Sequence, residues 1–235
     1  MIKQILTDIE GTTTSIDFVH KTLFPYARER LVGYLAQHRA EEPVAEILTD
    51  VAASLKAEHG QQPDTDDCAK ALVQWIDEDR KHPALKKLQG LIWEHGYRQG
   101  DFTGHVYPDV PGFLKAWATQ GYRLAVYSSG SEQAQKLLFG HSSAGDLTPY
   151  FSTYYDTRMG AKKQTSSYAH ISDALECEPG DILFLSDSAA ELAAAREAGL
   201  AVMQLCRPGV SVEQNPPWPQ ARDFQDVDQW LQVNN

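Results

Sequence analysis

Short runs of consecutive apolar residues alternate with stretches whose apolar positions recur every three or four residues. Four runs have the length and the Ile, Leu and Val content of fully buried strands: "IKQILTDI" (2–9), "YRLAVYSS" (122–129), "DILFLSD" (181–187) and "GLAVMQL" (199–205). "YFSTYYDT" (150–157) is a candidate fifth. Helical patterns separate them at 110–121, 131–140, 166–176 and 189–199. Strand alternating with helix predicts a parallel sheet covered by helices on both faces.

Residues 17–100 break this alternation. Four successive helical patterns occur there, "LFPYARERLVGYLAQH", "PVAEILTDVAASLKAEHG", "TDDCAKALVQWIDEDRK" and "PALKKLQGLIWEHGYRQG", punctuated by Pro43, "GQQPDT" and Pro83. The expected organisation is an α/β core of residues 1–16 and 101–235 with an all-helical insertion at 17–100. The tail "EQNPPWPQARDFQDVDQWLQ" carries prolines and then a short amphipathic stretch suited to docking on the core.

Composition changes this picture little: 235 residues and 42% hydrophobic content are ordinary for a globular chain that buries its own core. Charge narrows the partners. A formal net charge of -11 argues against nucleic acid and anionic membrane, because phosphate backbones need a basic footprint. A small anionic substrate needs only local positive charge. Cys68, Cys177 and Cys206 are odd in number and share no metal or redox spacing, so reduced thiols of a cytoplasmic protein are expected. No signal peptide or membrane span of ~20 apolar residues is expected either.

The residues with chemistry to offer fall where the apolar runs stop. Asp8 and Glu10 end the first, Ser128 and Ser129 the second, and Asp187 the third, with Glu191 one helical turn beyond. In a parallel sheet these ends share one edge, and ligands bind outside that edge. Phosphoryl transfer suits such a set. A carboxylate can attack phosphorus. A divalent cation such as Mg²⁺ offsets the repulsion between anions and needs only a few oxygen ligands. Hydroxyls and the amides of a helix N-terminus, as in "SSGSEQAQ", can hold phosphate oxygens. A lysine neutralises the transferring group, and Lys162 and Lys163 in "TRMGAKKQ" are both candidates.

"DIEGT", "YSSGS", the lysine of "GAKK" and "FLSDSAAE", in that order over essentially the whole chain, resemble the four motifs of haloacid dehalogenase-like phosphatases. The longer stretches "DIEGTTTSIDFVHKTLFPYA", "YSSGSEQAQKLLFGHSSAGDL" and "ILFLSDSAAELAAAREAG" are similar to the enolase-phosphatase branch, the acireductone synthases of methionine salvage. The resemblance implies a Rossmann-like parallel sheet with the helical block as a cap domain. It implies Asp8 as phosphoryl-accepting nucleophile and Mg²⁺ ligand, the Glu10 carbonyl and Asp187 as further Mg²⁺ ligands, and Ser128 and Ser129 as phosphate-binding. Lys162 matches the family lysine through its place after Gly160 and Ala161.

The implied reaction is enolisation of 2,3-diketo-5-methylthiopentyl 1-phosphate and then hydrolysis of the enol phosphate. The implied partner is thus a small phosphorylated metabolite, handled by a cytoplasmic protein expected to be a monomer. A phosphatase acting on another small sugar phosphate is the alternative within the superfamily. A phospho-acceptor module that does not turn over is the alternative outside it.

Two departures stand out. Glu10 replaces the usual second aspartate, as in the enolase-phosphatase branch, and is one methylene longer. The family's acid two positions after the lysine is Gln164 here, so the carboxylate that orients the lysine is missing or replaced. Thr12 matches the signature threonine, with a hydroxyl expected to orient the loop, and Gly11 is expected to let the chain turn. Glu191 is expected to face the cleft, as a water-mediated ligand or as a support.

Overall fold

The computed structural model describes residues 1–209 and 216–234. The beginning of the proline-rich tail, 213–215, lies outside the described residues. The chain divides into two compact units, Met1–Phe18 with Thr103–Asn235, and Val19–Phe102. No helix among the described residues is long and apolar enough to cross a membrane.

The first unit is a six-stranded sheet. Its strands are β1 (Gln4–Thr7), β2 (Arg123–Tyr127), β3 (Phe151–Tyr155), β4 (Ile182–Ser186), β5 (Ala201–Leu205) and β6 (Gln220–Ala221). Their order is β3-β2-β1-β4-β5-β6, and every pairing is parallel. The four apolar runs and the candidate fifth are all strands, each trimmed at its ends. The two-residue β6 has no sequence signature, since it is fixed by pairing with Gln204 and Leu205.

Burial on both faces explains why these strands read as continuous apolar runs. On β1, Ile5 joins one core cluster and Leu6 the other; on β4, Leu183 and Leu185 alternate with Ile182 and Phe184 in the same way. One face is covered by α6 (Val110–Thr119), α7 (Glu132–Gly140) and α10 (Phe224–Asn234), through Leu114, Trp117, Phe139, Phe224 and Val227. The other is covered by α8 (Thr165–Ala174) and α9 (Ala189–Glu197), through Tyr168, Ile171 and Leu192. Each such fully buried large side chain stabilises the fold by roughly 1.5–3 kcal/mol. The amphipathic tail does dock: Trp117 is fully buried and its indole N–H donates to Asp228 of α10 at 2.9 Å.

The second unit is helical. After α1 (Ile16–Phe18), the last element of the first unit's opening segment, it starts with a π-helical turn, and α2 (Phe24–His38), α3 (Glu42–His59), α4 (Thr65–Asp77) and α5 (Pro83–Gln99) follow. Its core comes from the three-and-four spacing, with Leu31 and Leu35, Ile47 and Val51, Leu72 and Trp75, and Leu88 and Ile92 all buried. The punctuation residues act as helix ends. Pro43 and Pro83 lie in first turns, Gly60 and Gly100 are left-handed C-caps, and Asp64 with Asp67 forms a reciprocal capping box. α4 stops at Asp77, short of its sequence pattern, and Asp79 adopts a positive φ of 53°.

Candidate active site

β1 lies in the middle of the sheet, with β2 on one side and β4 on the other. The chain order reverses there, and in open parallel sheets ligands bind outside the carboxyl ends of the strands at such a point. Asp8 follows β1, Ser128 follows β2, and Asp187 follows β4.

Asp8 is buried, at 3% exposure. Its Oδ1 accepts from the Ile9 amide at 2.7 Å and from Lys162 Nζ at 2.6 Å. Its Oδ2 accepts from the Ser186 hydroxyl at 3.1 Å. The loop after it folds tightly on one carbonyl, with the amides of Thr12, Thr13 and Thr14 all donating to Ile9 O. Gly11 has φ +72°, a region that L side chains rarely adopt. A Cβ at Gly11 would lie 2.5 Å from the carboxylate carbon of Asp187. The glycine thus does more than turn the chain: it makes room for the carboxylate from β4.

Thr12 does not act as expected. Its hydroxyl is buried with no hydrogen-bond partner among the described residues. Thr13 takes over, donating to Asp8 O or Ile9 O, both at 3.3 Å, while Thr14 donates to His105 O at 2.7 Å. The turn points these two hydroxyls, and not that of Thr12, back onto backbone carbonyls.

Lys162, and not Lys163, reaches the site. Its ammonium is 2.6 Å from Asp8 Oδ1 and 2.7 Å from Glu191 Oε2, whereas Lys163 is exposed. Burial alone would lower its pKa, but the charges of Asp8 and Glu191 and the hydrogen bonds to both hold it above the ordinary lysine value. The loop that carries it is fixed by three buried hydroxyls. Tyr127 donates to Gly160 O at 3.0 Å, Ser167 to Ala161 O at 2.8 Å and Tyr168 to Lys162 O at 2.6 Å. Three consecutive carbonyls are thereby satisfied. Sequence reading missed this support, because a tyrosine inside an apolar strand or helix reads simply as core.

Glu191 is the carboxylate that Gln164 does not supply. It pairs with Lys162 and is the alternative acceptor, at 3.2 Å, for the Ser186 proton that also reaches Asp8. Burial and the charge of Asp8 push its carboxyl up to about 7, with Lys162 opposing. The same two causes push Asp187 up to about 6. They also raise Glu10, whose Oε2 receives the Ser128 hydroxyl at 3.4 Å.

Ser128 is fully buried, and its Oγ accepts the Gly130 amide at 3.2 Å. Ser129 is exposed on the same loop. The loop opens α7 through Ser131, whose side chain caps the Ala134 amide. Buried Gln135 holds its base, donating to Gly130 O and Tyr155 O at 2.9 and 2.8 Å. A glutamine inside an amphipathic helix gives no sequence signal for this role.

Asp8, Glu10, Ser128, Lys162, Asp187 and Glu191 thus converge from four segments of the chain. Three carboxyl groups with raised pKa values, at one sheet edge beside a buried lysine, mark a site that holds anions only with added positive charge.

The haloacid dehalogenase-like hydrolase family model matches residues 2–199. A protein of Thioalkalivibrio sulfidiphilus named enolase-phosphatase E1 is 52% identical over 97% of this chain and 99% of its own length. One of Pectobacterium carotovorum with the same name is 54% identical over 88% of this chain and 89% of its own. Among solved structures, the UTR4 protein of Saccharomyces cerevisiae is similar, with a TM-score of 0.81, 33% identity, and coverage of 96% of this chain and 99% of that one.

Proposed function

Since the chain belongs to the enolase-phosphatase family of haloacid dehalogenase-like hydrolases, we propose that its strand-end site carries both steps of that family's reaction. The protein is a phosphoric monoester hydrolase of methionine salvage. It converts 2,3-diketo-5-methylthiopentyl 1-phosphate to acireductone and phosphate.

Asp8 is assigned as the nucleophile. Its carboxylate attacks phosphorus, the enol oxygen leaves, and water then hydrolyses the aspartyl-phosphate. Lys162 sits on the attacked side and offsets charge on the transferring group, already in place through Glu191 and the three hydroxyls beneath it. Ser128, Ser129 and the amides that open α7 are assigned to the substrate phosphate. The helical unit is assigned as the cap domain.

The donor set fits a divalent cation. The carboxylates of Asp8 and Asp187 and the carbonyl of Glu10 are hard oxygen donors, and Gly11 leaves space for Asp187. Among the described residues no three His, Cys, Asp or Glu side chains form a closed cage. That is compatible with Mg²⁺, which keeps several waters and takes few protein ligands. When bound, Mg²⁺ would supply charge stabilisation and polarise substrate oxygens.

Enolisation needs a base. Glu10 is assigned to it because its carboxylate lies beside Ser128, between the nucleophile loop and the phosphate loop. Burial and the charge of Asp8 raise its pKa, which makes its carboxylate a stronger base than an ordinary glutamate.

The observation that carries the reading is the Asp8–Lys162 pair at 2.6 Å, held at the shared end of three parallel strands. The test follows enol formation by ultraviolet absorbance and phosphate release in parallel. Asp8→Asn abolishes phosphate release; full turnover by that variant would sink the nucleophile assignment. Glu10→Gln slows enol formation, and wild-type rates for both steps would remove Glu10 from the mechanism. A panel of other phosphorylated metabolites completes the test, since turnover of a sugar phosphate with the diketo phosphate inert would reassign the substrate.

A further inference from the structure

One buried cation lies just outside the set described so far. Arg207, in "CRPG" after β5, is 4% exposed. Its Nε donates to Thr12 O at 2.9 Å, and its Nη1 donates to Asp109 Oδ1 at 2.8 Å. The other Asp109 oxygen accepts the Phe224 amide at 2.9 Å. The guanidinium lies over the ring of Tyr107 at 4.3 Å and faces that of Phe224 at 5.3 Å. Its Nη2 is buried with no hydrogen-bond acceptor among the described residues. An arginine with an unsatisfied N–H is costly to bury, and the aromatic faces offset part of that cost.

The atom Arg207 grips is the carbonyl of the fourth residue after the nucleophile. The next carbonyl, Thr13 O, accepts the Tyr107 amide at 3.0 Å, and Thr14 O accepts from Gly11 at 2.8 Å. Arg207 and Tyr107, stacked on each other, thus hold consecutive carbonyls of the loop that carries Asp8, Glu10 and Gly11. Losing Arg207 would remove this donor to Thr12 O, and with it the loop's tie to the turn after β5. A flat, forked donor suits this place. It reaches the carbonyl and Asp109 together, which a lysine ammonium on a flexible stem cannot do in the same geometry.

We propose that Arg207 is a positioning residue: it fixes the Asp8–Thr14 loop through Thr12 O, and so sets where Asp8, the Glu10 carboxylate and the Asp187-accepting Gly11 stand. The proposal rests on this loop being the phosphoryl-transfer loop. Asp109 and α10 serve as the anchor against which Arg207 pulls.

The test compares R207K and R207A with wild type, each assayed well below its own thermal midpoint. R207K is expected to lower kcat by about 10- to 100-fold with KM changed by less than about threefold, the mark of misplaced reacting groups and not of weaker binding. Millimolar guanidinium, far below denaturing concentrations, is expected to raise the kcat of R207A severalfold per folded molecule. A purely structural lesion would gain folded protein at most, with kcat per folded molecule unchanged.

A kcat for R207K within twofold of wild type overturns the proposal. So does a kcat of R207A, per folded molecule, that guanidinium does not raise. If R207A does not fold, R207K alone decides. The wild-type arm separates the two readings. If wild type leaves the diketo phosphate untouched, the enolase-phosphatase assignment fails, and the ratio of R207K to wild type is read on an aryl phosphate instead.

Discussion

Lys162 Nζ lies 2.7 Å from Glu191 Oε2, so the lysine is oriented by a carboxylate on the helix after β4 and not by its own sequence neighbour. Gln164 stands two positions after the lysine and serves as the N-cap residue of α8. The pairing gives Glu191 to the lysine, so in the proposed mechanism the two acids after β4 have separate jobs, with Asp187 serving the metal.

Substituting Glu191→Gln is therefore expected to cut kcat by about tenfold or more, the usual scale for losing a charged partner behind a reacting group. Lys162→Met is expected to cost at least about a hundredfold. Lys163→Ala should leave phosphate release unchanged, because that side chain points to solvent. Steady-state phosphate release by the three variants checks the assignment, and loss of activity in Lys163→Ala alone would reverse it.

Gly11→Ala should damage the site twice. The positive φ costs about 1 kcal/mol or more for a residue with a Cβ. The added methyl also overlaps the Asp187 carboxylate. A lowered thermal midpoint together with weaker Mg²⁺ activation is expected. Magnesium titration of activity reads the second effect, and an unchanged metal dependence would show that Asp187 has moved aside freely.

Tyr168→Phe removes the donor to Lys162 O and leaves a buried carbonyl unpaired. It should destabilise the fold by about 1–3 kcal/mol. Because Tyr127 and Ser167 still hold the two preceding carbonyls, kcat should fall less than in Lys162→Met. Chemical denaturation and steady-state rates, measured together, separate the two quantities.

Metal and pH are linked through the raised carboxyl groups. Asp187 at about 6 and Glu191 at about 7 lie above their ordinary values of 3.8 and 4.5. Between about pH 4 and pH 7 these two groups hold more protons in the folded metal-free protein than in the unfolded chain, so their contribution to stability falls as pH rises. Divalent cation binds the deprotonated site of the folded state and should counter that loss most strongly at the upper end of the window. Thermal midpoints from pH 4.5 to 8, with chelator and with Mg²⁺, would show the two curves diverging upward in pH. Parallel curves would contradict the linkage.

The strands were legible in the sequence because a parallel strand buried on both faces has almost no choice but Ile, Leu, Val and aromatics. The chemistry was legible too, since Asp8, Ser128 and Asp187 each stand where such a run stops, and the motifs around them resemble a known family. The glycines and prolines of the helical block marked its helix ends through local backbone preference. Supporting contacts followed no such local rule. Nothing near Lys162 in the chain announces Glu191, Tyr127 or Tyr168, and nothing near Thr12 announces Arg207. These partners meet only when the sheet order sets β1 between β2 and β4 and carries the turn after β5 back to the nucleophile loop. A side chain's type and its place on a strand or helix are local properties, and the sequence by itself determined them. Which carboxylate faces which ammonium, and which threonine hydroxyl finds a carbonyl, depends on distances across the fold of a few ångströms, and only the tertiary structure decided those.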